Sequence, residues 1–268
     1  MFHEALAKIG SFDDQTKQYK FSQMRVEIHK NIAQIYESIE FYSNAIDHLE
    51  QLSVIATEVY GPMDPLVSNN LNHLGLLYYK EHDYDSALSV FLKCLHICTS
   101  NKHDKNQLIS LLYNIATVYK AMGMTKEALK IYLKILGYER QMMQEDTVKT
   151  PTDLIRTLRH IFEIYADQDE AISKQGIPYL LEAVDLCRQY KDEIDSRLGQ
   201  NVFFLLGKYL TLNQQEVTEG FRYFCEGCEL FGEVDLDIVY ATGEDGLRII
   251  LAHLCTTENA FPLHAAAA

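Results

Sequence analysis

Residues 61–91, GPMDPLVSNNLNHLGLLYYKEHDYDSALSVF, contain the pattern that decides the fold. Gly75 and Tyr78 are one helical turn apart, and so are Ala87 and Phe91. Each pair therefore lies on one face of a helix. A small residue lets two helices approach closely, and a bulky residue fills the space beside it. The stretch thus predicts two helices that pack against each other as a hairpin.

Turn and capping residues support the same hairpin. The segment EHDY (81–84) lies between the two helices and is short and polar, as expected of an interhelical turn. Asp64-Pro65 and Thr150-Pro151 are each typical of a helix start. In both, an N-cap side chain is followed by proline at the first helical position.

The hairpin pattern occurs three times, and its tyrosines are 42 and then 41 residues apart. A hairpin cannot bury its apolar face alone, so neighbouring copies have to stack. The three copies are Ile32, Ala33, Tyr36, Ala45 and Leu49; Leu74, Gly75, Tyr78, Ala87 and Phe91; and Ile115, Ala116, Tyr119, Ala128 and Tyr132. Two weaker copies follow, with Ile161, Phe162, Tyr165, Gly176, Leu180 and Ala183, and with Leu206, Gly207, Leu210, Gly220, Phe224 and Gly227.

This pattern resembles the tetratricopeptide repeat, and its long period resembles the kinesin light chain subtype of that family. The stretch 61–91, with its G-P-x-x-P lead-in, carries the likeness most closely. The resemblance covers residues 24–145 well and residues 150–231 loosely. It implies an all-α fold, an α-solenoid of about five helical hairpins coiled as a right-handed superhelix.

We expect three parts along the chain. Residues 1–23 form an N-terminal helical extension, in which residues 3–9 are a short separate helix followed by a break at SFDDQ. Residues 232–264 form C-terminal capping helices. Between them lies the repeat array, 24–231, with repeats at 24–65, 66–106, 107–148, 150–190 and 197–231.

Composition and charge exclude several classes of protein. The 268 residues are 47% hydrophobic, with no apolar run long enough to span a membrane and no recognisable signal peptide. A formal net charge of -14 disfavours binding to nucleic acid or to anionic membranes. Six cysteines without a secretory signal suggest reduced thiols and a cytoplasmic location.

A ligand-binding groove is predicted on the concave side, which the first helix of each hairpin lines. Asn and His recur just before the apolar–small pair of each first helix, and both offer a donor and an acceptor. In tetratricopeptide grooves such asparagines hold an extended peptide by its main chain, which is what the resemblance implies here. The predicted groove residues are Lys30, Asn31, Gln34, Asn69, Asn72, His73, Ser110, Tyr113, Asn114, Thr117, Arg156, Arg159 and His160. The alternatives are that these residues form an ordinary solvated face, or that another part of the same protein occupies the groove.

Three further patterns bear on the choice of partner. The carboxylate clamp of chaperone-binding members keeps only its lysine, Lys30, so a co-chaperone role is disfavoured. Arg156 and Arg159, with Arg140 and Lys149 nearby, favour an acidic ligand, since guanidinium binds carboxylates in a fork; a solvated face explains them equally well. The acidic segment 225–237 would suit a basic partner.

Sequence motifs for catalysis are missing, including nucleotide-binding loops, nucleophile elbows and zinc-protease helices. The CxxC motif at Cys225 and Cys228 has no second ligand pair at zinc spacing and falls inside a predicted helix, so we expect buried structural thiols. Cys94 and Cys98 are interpreted in the same way. We therefore expect no enzymatic activity, cofactor or metal.

The sequence favours a non-enzymatic adaptor or scaffold that binds a peptide or helical segment of another protein in its concave groove. One alternative is a structural subunit of a larger assembly, docked through its convex face or its acidic end. Another is a regulatory sensor that closes around a signalling peptide.

Overall fold

The structure is all-α. This computed structural model describes residues 2–100, 105–145, 151–168, 170–213 and 217–232, and within them there is no β-strand. The chain divides into two compact units, Met1–Ile131 (unit 1) and Tyr132–Ala268 (unit 2), and each is described by itself. Apart from Gly232, the predicted capping helices at 232–264 lie outside the described residues.

The helices follow one another with short connections. Unit 1 contains α1 (Phe2–Ser38), α2 (Tyr42–Tyr60), α3 (Pro65–Lys80), α4 (Tyr84–Ser100) and α5 (Lys105–Ala121). Helix α6 (Thr125–Gln144) begins in unit 1 and ends in unit 2. Unit 2 continues with α7 (Thr152–Ala166), α8 (Glu170–Ser173), a 3₁₀ turn (Lys174–Gly176), α9 (Ile177–Gln189), α10 (Ser196–Asn213) and α11 (Val217–Phe231).

The long helices form five consecutive hairpins, which confirms the predicted fold class of an α-solenoid built from helical hairpins. The pairs are α1–α2, α3–α4, α5–α6, α7–α9 and α10–α11. The short α8 and the 3₁₀ turn lie between the two helices of the fourth hairpin. The proposed repeat boundaries and the extension at 1–23 stay predictions.

The recurring small residues lie where the two helices of a hairpin meet. Ala33 and Ala116 are fully buried. A Cβ atom added at Gly75 would lie 2.6 Å from the ring of Phe91, which is too close for carbon atoms. Phe91 itself is 1% exposed, so its ring fills the space that the small residue leaves. This is the packing that the repeat pattern predicted.

The weaker repeats of unit 2 pack as closely through glycine. A Cβ atom at Gly207 would lie 2.6 Å from the carbonyl oxygen of Gly220, and one at Gly227 would lie 2.8 Å from Cβ of Phe203. The backbones of α10 and α11 therefore approach each other without side chains between them. Glycine at these positions costs helix propensity, and the close contact offsets that cost.

The turns inside the first three hairpins share one backbone geometry. The carbonyl of each recurring tyrosine accepts, at 2.9 Å, the N–H five residues later: Tyr36 from Phe41, Tyr78 from Asp83, and Tyr119 from Met124. The residue before each donor is left-handed: Glu40 (φ 61°), His82 (φ 61°) and Gly123 (φ 73°). This is the bonding by which helices commonly end.

Two local predictions need correction. Residues 3–9 are not a separate helix, because α1 runs without a break from Phe2 to Ser38; the SFDDQ segment contains no proline, and serine and aspartate only weaken a helix. The start of α7 is one residue later than predicted, with Pro151 at the N-cap and its carbonyl accepting from Ile155 at 2.8 Å. The start at Asp64-Pro65 is as predicted, since Asp64 Oδ1 accepts from the N–H of Leu66 at 2.8 Å.

Candidate functional site

The first helices of unit 1, α1, α3 and α5, form a surface that we call the first-helix face. A pocket of about 210 Å³ lies between α1 and α3, above α2. Its rim carries four of the predicted groove residues, Lys30, Gln34, Asn69 and His73. Its floor is apolar and comes from α2: Leu49, Leu52 and Ala56. The pocket can therefore take an apolar side chain below a polar rim.

A second pocket, of about 230 Å³, lies between α3 and α5, above α4. It is lined by hydroxyl, amide and thiol groups, and three predicted groove residues, Asn69, Asn72 and Ser110, are among them. The others are Ser68, Cys94, Cys98, Asn106, Gln107 and Leu111. With no charged side chain in its lining, this pocket suits an uncharged polar group.

Asn72 and Asn114 meet across the second pocket's two walls, α3 and α5. Asn114 Nδ2 donates to Asn72 Oδ1 at 3.0 Å, and the two residues are 42 positions apart, one repeat period. Each amide has two donor hydrogens and one acceptor oxygen. After the mutual bond, Asn72 keeps its donor and Asn114 keeps its acceptor. A peptide main chain presents the matching pair of groups.

His73 is held within the protein. Its Nε2 lies 2.7 Å from Glu37 Oε2, and the other oxygen of Glu37 accepts from Lys80 Nζ at 2.8 Å. Burial raises the pKa of Glu37, but the hydrogen bonds from Lys80 and His73 outweigh it, so that pKa lies below its usual value. His73 therefore ties α1 to α3, a role that its place in the repeat did not predict.

Asn31, Tyr113 and Thr117 lie outside the two pockets, and several predicted residues of unit 1 have partners on their own helix. Asn31 is exposed on α1, and Tyr113 is half-buried on α5. Thr117 donates to the carbonyl of Tyr113 at 2.9 Å, and Ser110 donates to the carbonyl of Asn106 at 3.0 Å. Lys30 lies 4.0 Å from Glu27 on the same helix.

In unit 2 the predicted basic residues are bound by side chains of the same unit. Arg159 Nη1 donates to Asn201 Oδ1 at 3.1 Å and lies 3.7 Å from Glu163. His160 Nδ1 lies 3.1 Å from Glu163 Oε2, and its ring stacks on Tyr132. These residues form a polar network on α7 and α10, in which Arg159 Nε is buried without a hydrogen-bond partner.

The other two arginines are also paired. Arg156 Nη1 lies 3.1 Å from Asp153, and Arg140 Nη2 lies 2.6 Å from Glu182. Lys149 lies outside the described residues. An acidic ligand would have to displace these carboxylates, and such a ligand stays a prediction.

The acidic segment 225–237 is partly neutralised where the structure describes it. Glu226 accepts two hydrogen bonds from the Arg188 guanidinium, at 2.6 and 2.9 Å. These bonds from Arg188 lower the pKa of Glu226 below its usual value. Residues 233–237 lie outside the described part of the chain.

Glu139, on α6 in unit 2, is a buried carboxyl group that sequence reasoning missed. It is 7% exposed, and Thr157 Oγ1 donates to its Oε1 at 3.2 Å. Its Oε2 is buried without a hydrogen-bond partner. Burial raises the pKa of Glu139 to about 7, and Asp153 adds to the effect. The signal was present, because Glu139 continues the apolar spacing of Tyr132, Ile135 and Leu136.

The cysteines show no sign of a reactive or metal-binding centre in the described residues. Cys225 and Cys228 are free and half-buried inside α11, and burial raises the pKa of Cys228 to about 11. Cys94 and Cys98 are free and buried. Across the described ranges, no three His, Cys, Asp or Glu side chains cluster as metal ligands. None of the helices in this part of the chain is both long and apolar enough to cross a membrane.

Comparison with known families gives the class of the protein. A family model of the tetratricopeptide repeat matches residues 25–100 and 66–137. Residues 25–137 are therefore tetratricopeptide repeats, as the sequence predicted. Their spacing of 41–42 residues is the feature that they share with the kinesin light chain-like subtype. No curated protein matches the chain in sequence.

Solved structures agree with the fold. The apo form of RapI has a TM-score of 0.57 at 13% identity, covering 85% of this chain and 82% of that one. MamA from Desulfovibrio magneticus RS-1, from residue 41 to its end, has a TM-score of 0.51 at 16% identity, covering 77% and 94%. BtubC (BKLC) from P. vanneervenii has a TM-score of 0.50 at 14% identity, covering 91% and 94%. At these identities the likeness concerns the fold.

Proposed function

We propose that this protein is a non-enzymatic adaptor whose unit 1 binds an extended peptide segment of a partner protein on its first-helix face. Tetratricopeptide repeats are modules of protein–protein interaction. The observation that carries the finer proposal is the Asn72–Asn114 pair, which keeps one donor and one acceptor beside a pocket. A cytoplasmic location, expected from the sequence, stays a prediction.

The two pockets suggest how such a peptide would lie. They lie on the two sides of α3, one towards α1 and the other towards α5, so one extended peptide that crosses α3 would reach both. One side chain would enter the apolar pocket above Leu49 and Leu52, and the other the polar pocket beside Asn72.

The proposal can be tested with peptides selected from a random library on the intact protein. We expect the double variant Asn72→Ala/Asn114→Ala to bind a selected peptide at least tenfold more weakly, because it loses two main-chain hydrogen bonds of about 1 kcal/mol each. Isothermal titration calorimetry measures this affinity. Asn44→Ala, an exposed asparagine on α2, is the matched control and should bind as the unchanged protein does.

Two outcomes would contradict the proposal. One is equal affinity of the selected peptides for the double variant and the unchanged protein. The other is a library selection that yields no peptide binding more tightly than about 1 mM. His73→Ala is a poor test, because it also breaks the ion-pair cluster with Glu37 and Lys80.

A second candidate function, a subunit of a larger assembly, is favoured by one observation on α1. Four large apolar residues lie along its outer side at helical spacing: Phe21, Met24, Ile28 and Ile35, with exposed fractions of 58, 61, 47 and 61%. Exposed apolar residues grouped on one side of a helix, here interrupted by Asn31, are typical of protein contacts. Sedimentation of the isolated chain, with and without Met24→Lys/Ile28→Lys, tests it. Association that the double substitution abolishes would support this role.

A further inference from the structure

Unit 1 has a third depression, which lies between the second helices of its first two hairpins, α2 and α4. We call it the second-helix groove. Its volume is about 930 Å³, against 210 and 230 Å³ for the two pockets of the first-helix face. The α2 wall is Ser53, Val54, Thr57 and Glu58; the α4 wall is Ser89, Leu92, Lys93, His96 and Ile97; Pro62 and Met63 close one end, and Val67 and Leu71 of α3 form the floor.

The groove presents an apolar surface to solvent. Val54 on one wall is 60% exposed and Leu92 on the other is 45% exposed, although both are aliphatic. The floor residue Val67 is 3% exposed. Exposed aliphatic side chains facing one another across a groove are typical of a contact that another molecule covers.

Both hydroxyl groups on the α2 side already take part in hydrogen bonds within the protein. Thr57 Oγ1 donates to the carbonyl of Ser53 at 2.7 Å. The hydroxyl of Ser53 accepts from Asn70 Nδ2. Apolar burial would therefore supply most of the binding free energy of an occupant.

The length of the groove suits a short α-helix. From Ser89 to Ile97 the α4 wall spans nine residues, which is eight steps of about 1.5 Å, or about 12 Å. Two turns of an α-helix rise by about 11 Å. A helix of about two turns would therefore lie along this wall.

Charge on the two walls restricts which helix fits. Glu58 stands on the α2 wall, and Lys93 with His96 stands on the α4 wall. Among the described residues neither Glu58 nor Lys93 forms an ion pair. A helix with a basic flank towards Glu58 and an acidic flank towards Lys93 would complement both walls, and such pairs select partner and orientation more than they add affinity.

We propose that the second-helix groove binds one amphipathic helix of a partner protein, with aliphatic side chains between α2 and α4, a basic residue facing Glu58 and an acidic residue facing Lys93. This site is separate from the proposed peptide site on α1, α3 and α5. One chain could then hold two segments at once, one extended and one helical.

The test uses a designed probe and the full chain. The probe is a lactam-bridged peptide of about 12 residues with leucine at i, i+3, i+4 and i+7, lysines on one flank and glutamates on the other; a second peptide has the flanks exchanged. Fluorescence anisotropy should give saturable binding, with the two peptides differing by about twofold to fivefold. The charge-reversed variant Glu58→Lys/Lys93→Glu should reverse that preference.

Substitutions in the groove locate the binding. Leu92→Glu and, separately, Val54→Glu should each weaken binding of the probe at least tenfold. Leu133→Glu is the matched control, because Leu133 is 38% exposed on α6, one repeat period after Leu92 and outside the groove. Thermal unfolding of all three variants confirms that they fold. Asn72→Ala/Asn114→Ala should bind the probe normally, which separates this site from the proposed peptide site.

Several results would overturn the proposal. Binding that survives Leu92→Glu and Val54→Glu, or that is lost in Asn72→Ala/Asn114→Ala, would place the probe elsewhere. Equal binding of the two peptides to the unchanged and the charge-reversed protein would make the groove a general apolar pocket. Self-association of the chain that Leu92→Glu abolishes would make a second copy the occupant.

Discussion

The two units link their successive first helices with pairs at the same spacing but of different chemistry. In unit 1, Asn72 and Asn114 are 42 residues apart and share one hydrogen bond between neutral amides. In unit 2, Arg159 and Asn201 are also 42 residues apart, and the guanidinium additionally lies near Glu163. One repeat geometry therefore places the partners, and the residue types decide what hydrogen-bonding capacity remains.

This difference separates a surface suited to ligands from one whose charged groups mostly bind one another, with Arg159 Nε buried and without a partner. The amide pair of unit 1 keeps a donor and an acceptor next to a pocket. In unit 2, Arg159 donates to Asn201 and lies near Glu163. His160 also lies near Glu163, and the ring of Tyr132 covers it. A position in the repeat frame thus predicts which residues are neighbours, and their chemistry predicts whether they are free to bind.

The largest effect we expect concerns the buried carboxyl group of unit 2. The pKa of Glu139 is about 7 in the folded protein, against about 4.3 in an unfolded chain. Between these values the folded state holds a proton that the unfolded state has lost, so stability falls as pH rises through this window. Glu139→Gln should therefore stabilise unit 2 at pH 8 by about 3 kcal/mol and change little near pH 4.

Hydrogen-exchange mass spectrometry of peptides from α6 and α7, with variant and unchanged protein compared at each pH, measures this effect. Glu229→Gln, an exposed glutamate on α11 of the same unit, provides the control and should show no such pH-dependent gain. A Glu139→Gln variant whose protection is the same as that of the unchanged protein at pH 8 would rule out the buried-carboxyl explanation.

The next largest effect compares the two linking pairs directly. Arg159→Ala should destabilise the protein by about 2 kcal/mol, because it removes a charge-assisted bond to the half-buried Asn201 and the nearby positive charge from Glu163. Asn114→Ala should cost about 1 kcal/mol or less, because its bond joins two neutral amides. Urea unfolding followed by circular dichroism tests the order. If Asn114→Ala destabilises the protein more than Arg159→Ala does, the amide pair holds α3 and α5 together and is not available to bind a ligand.

The turns of the first three hairpins allow a further comparison of stability, which involves neither the Asn72–Asn114 pair nor the Arg159–Asn201 pair. Gly123→Ala should destabilise by about 1 kcal/mol, because alanine is strained at a φ of 73°. Glu40→Gly should stabilise by a similar amount, because Glu40 bears that strain at a φ of 61°. Thermal unfolding of both variants gives the comparison. Changes of the same sign would show that the shared backbone geometry does not control the stability of these turns.

The smallest expected effect on stability concerns Arg156, one of the basic residues of unit 2. Arg156 pairs with Asp153 one turn away on the same helix, and both side chains are exposed. Arg156→Ala should change the free energy of unfolding by less than about 0.5 kcal/mol. Chemical denaturation measures it beside Arg159→Ala. If the two substitutions lower the free energy of unfolding equally, Arg156 also belongs to the polar network of Arg159.

The repeat frame made most of the fold predictable. A small residue like Gly75 and a bulky one like Phe91 recur at a fixed period. The sequence alone therefore indicated which helix faces meet, and Gly75 and Phe91 are both buried in the structure. The continuity of α1 could not be predicted as easily, since the residues of SFDDQ weaken a helix without stopping it. The start of α7 differs by one residue from the prediction, as helix boundaries commonly do.

The candidate site was predictable in position but only partly in role. The period that aligns Asn72 with Asn114 also made them neighbours, and the same reasoning applied to Arg159 would have found Asn201. The pairing of His73 with Glu37 depends on side-chain directions between α1 and α3, which the spacing does not fix. Glu139 was overlooked because a charged residue within an apolar spacing is usually taken as a break in it.

The shared turn geometry also has a consequence for how such a chain can be lengthened or shortened. Glu40 and His82 have the same backbone angle, φ 61°, and stand 42 residues apart. Joining Glu40 directly to Asp83 would remove one repeat period, with α2 and α3, and would pair α1 with α4 through a turn in which Tyr36 takes the place of Tyr78. Recombination at these points would exchange complete repeats with little damage at the junction. The same junctions are natural places at which to splice a repeat into this protein or out of it.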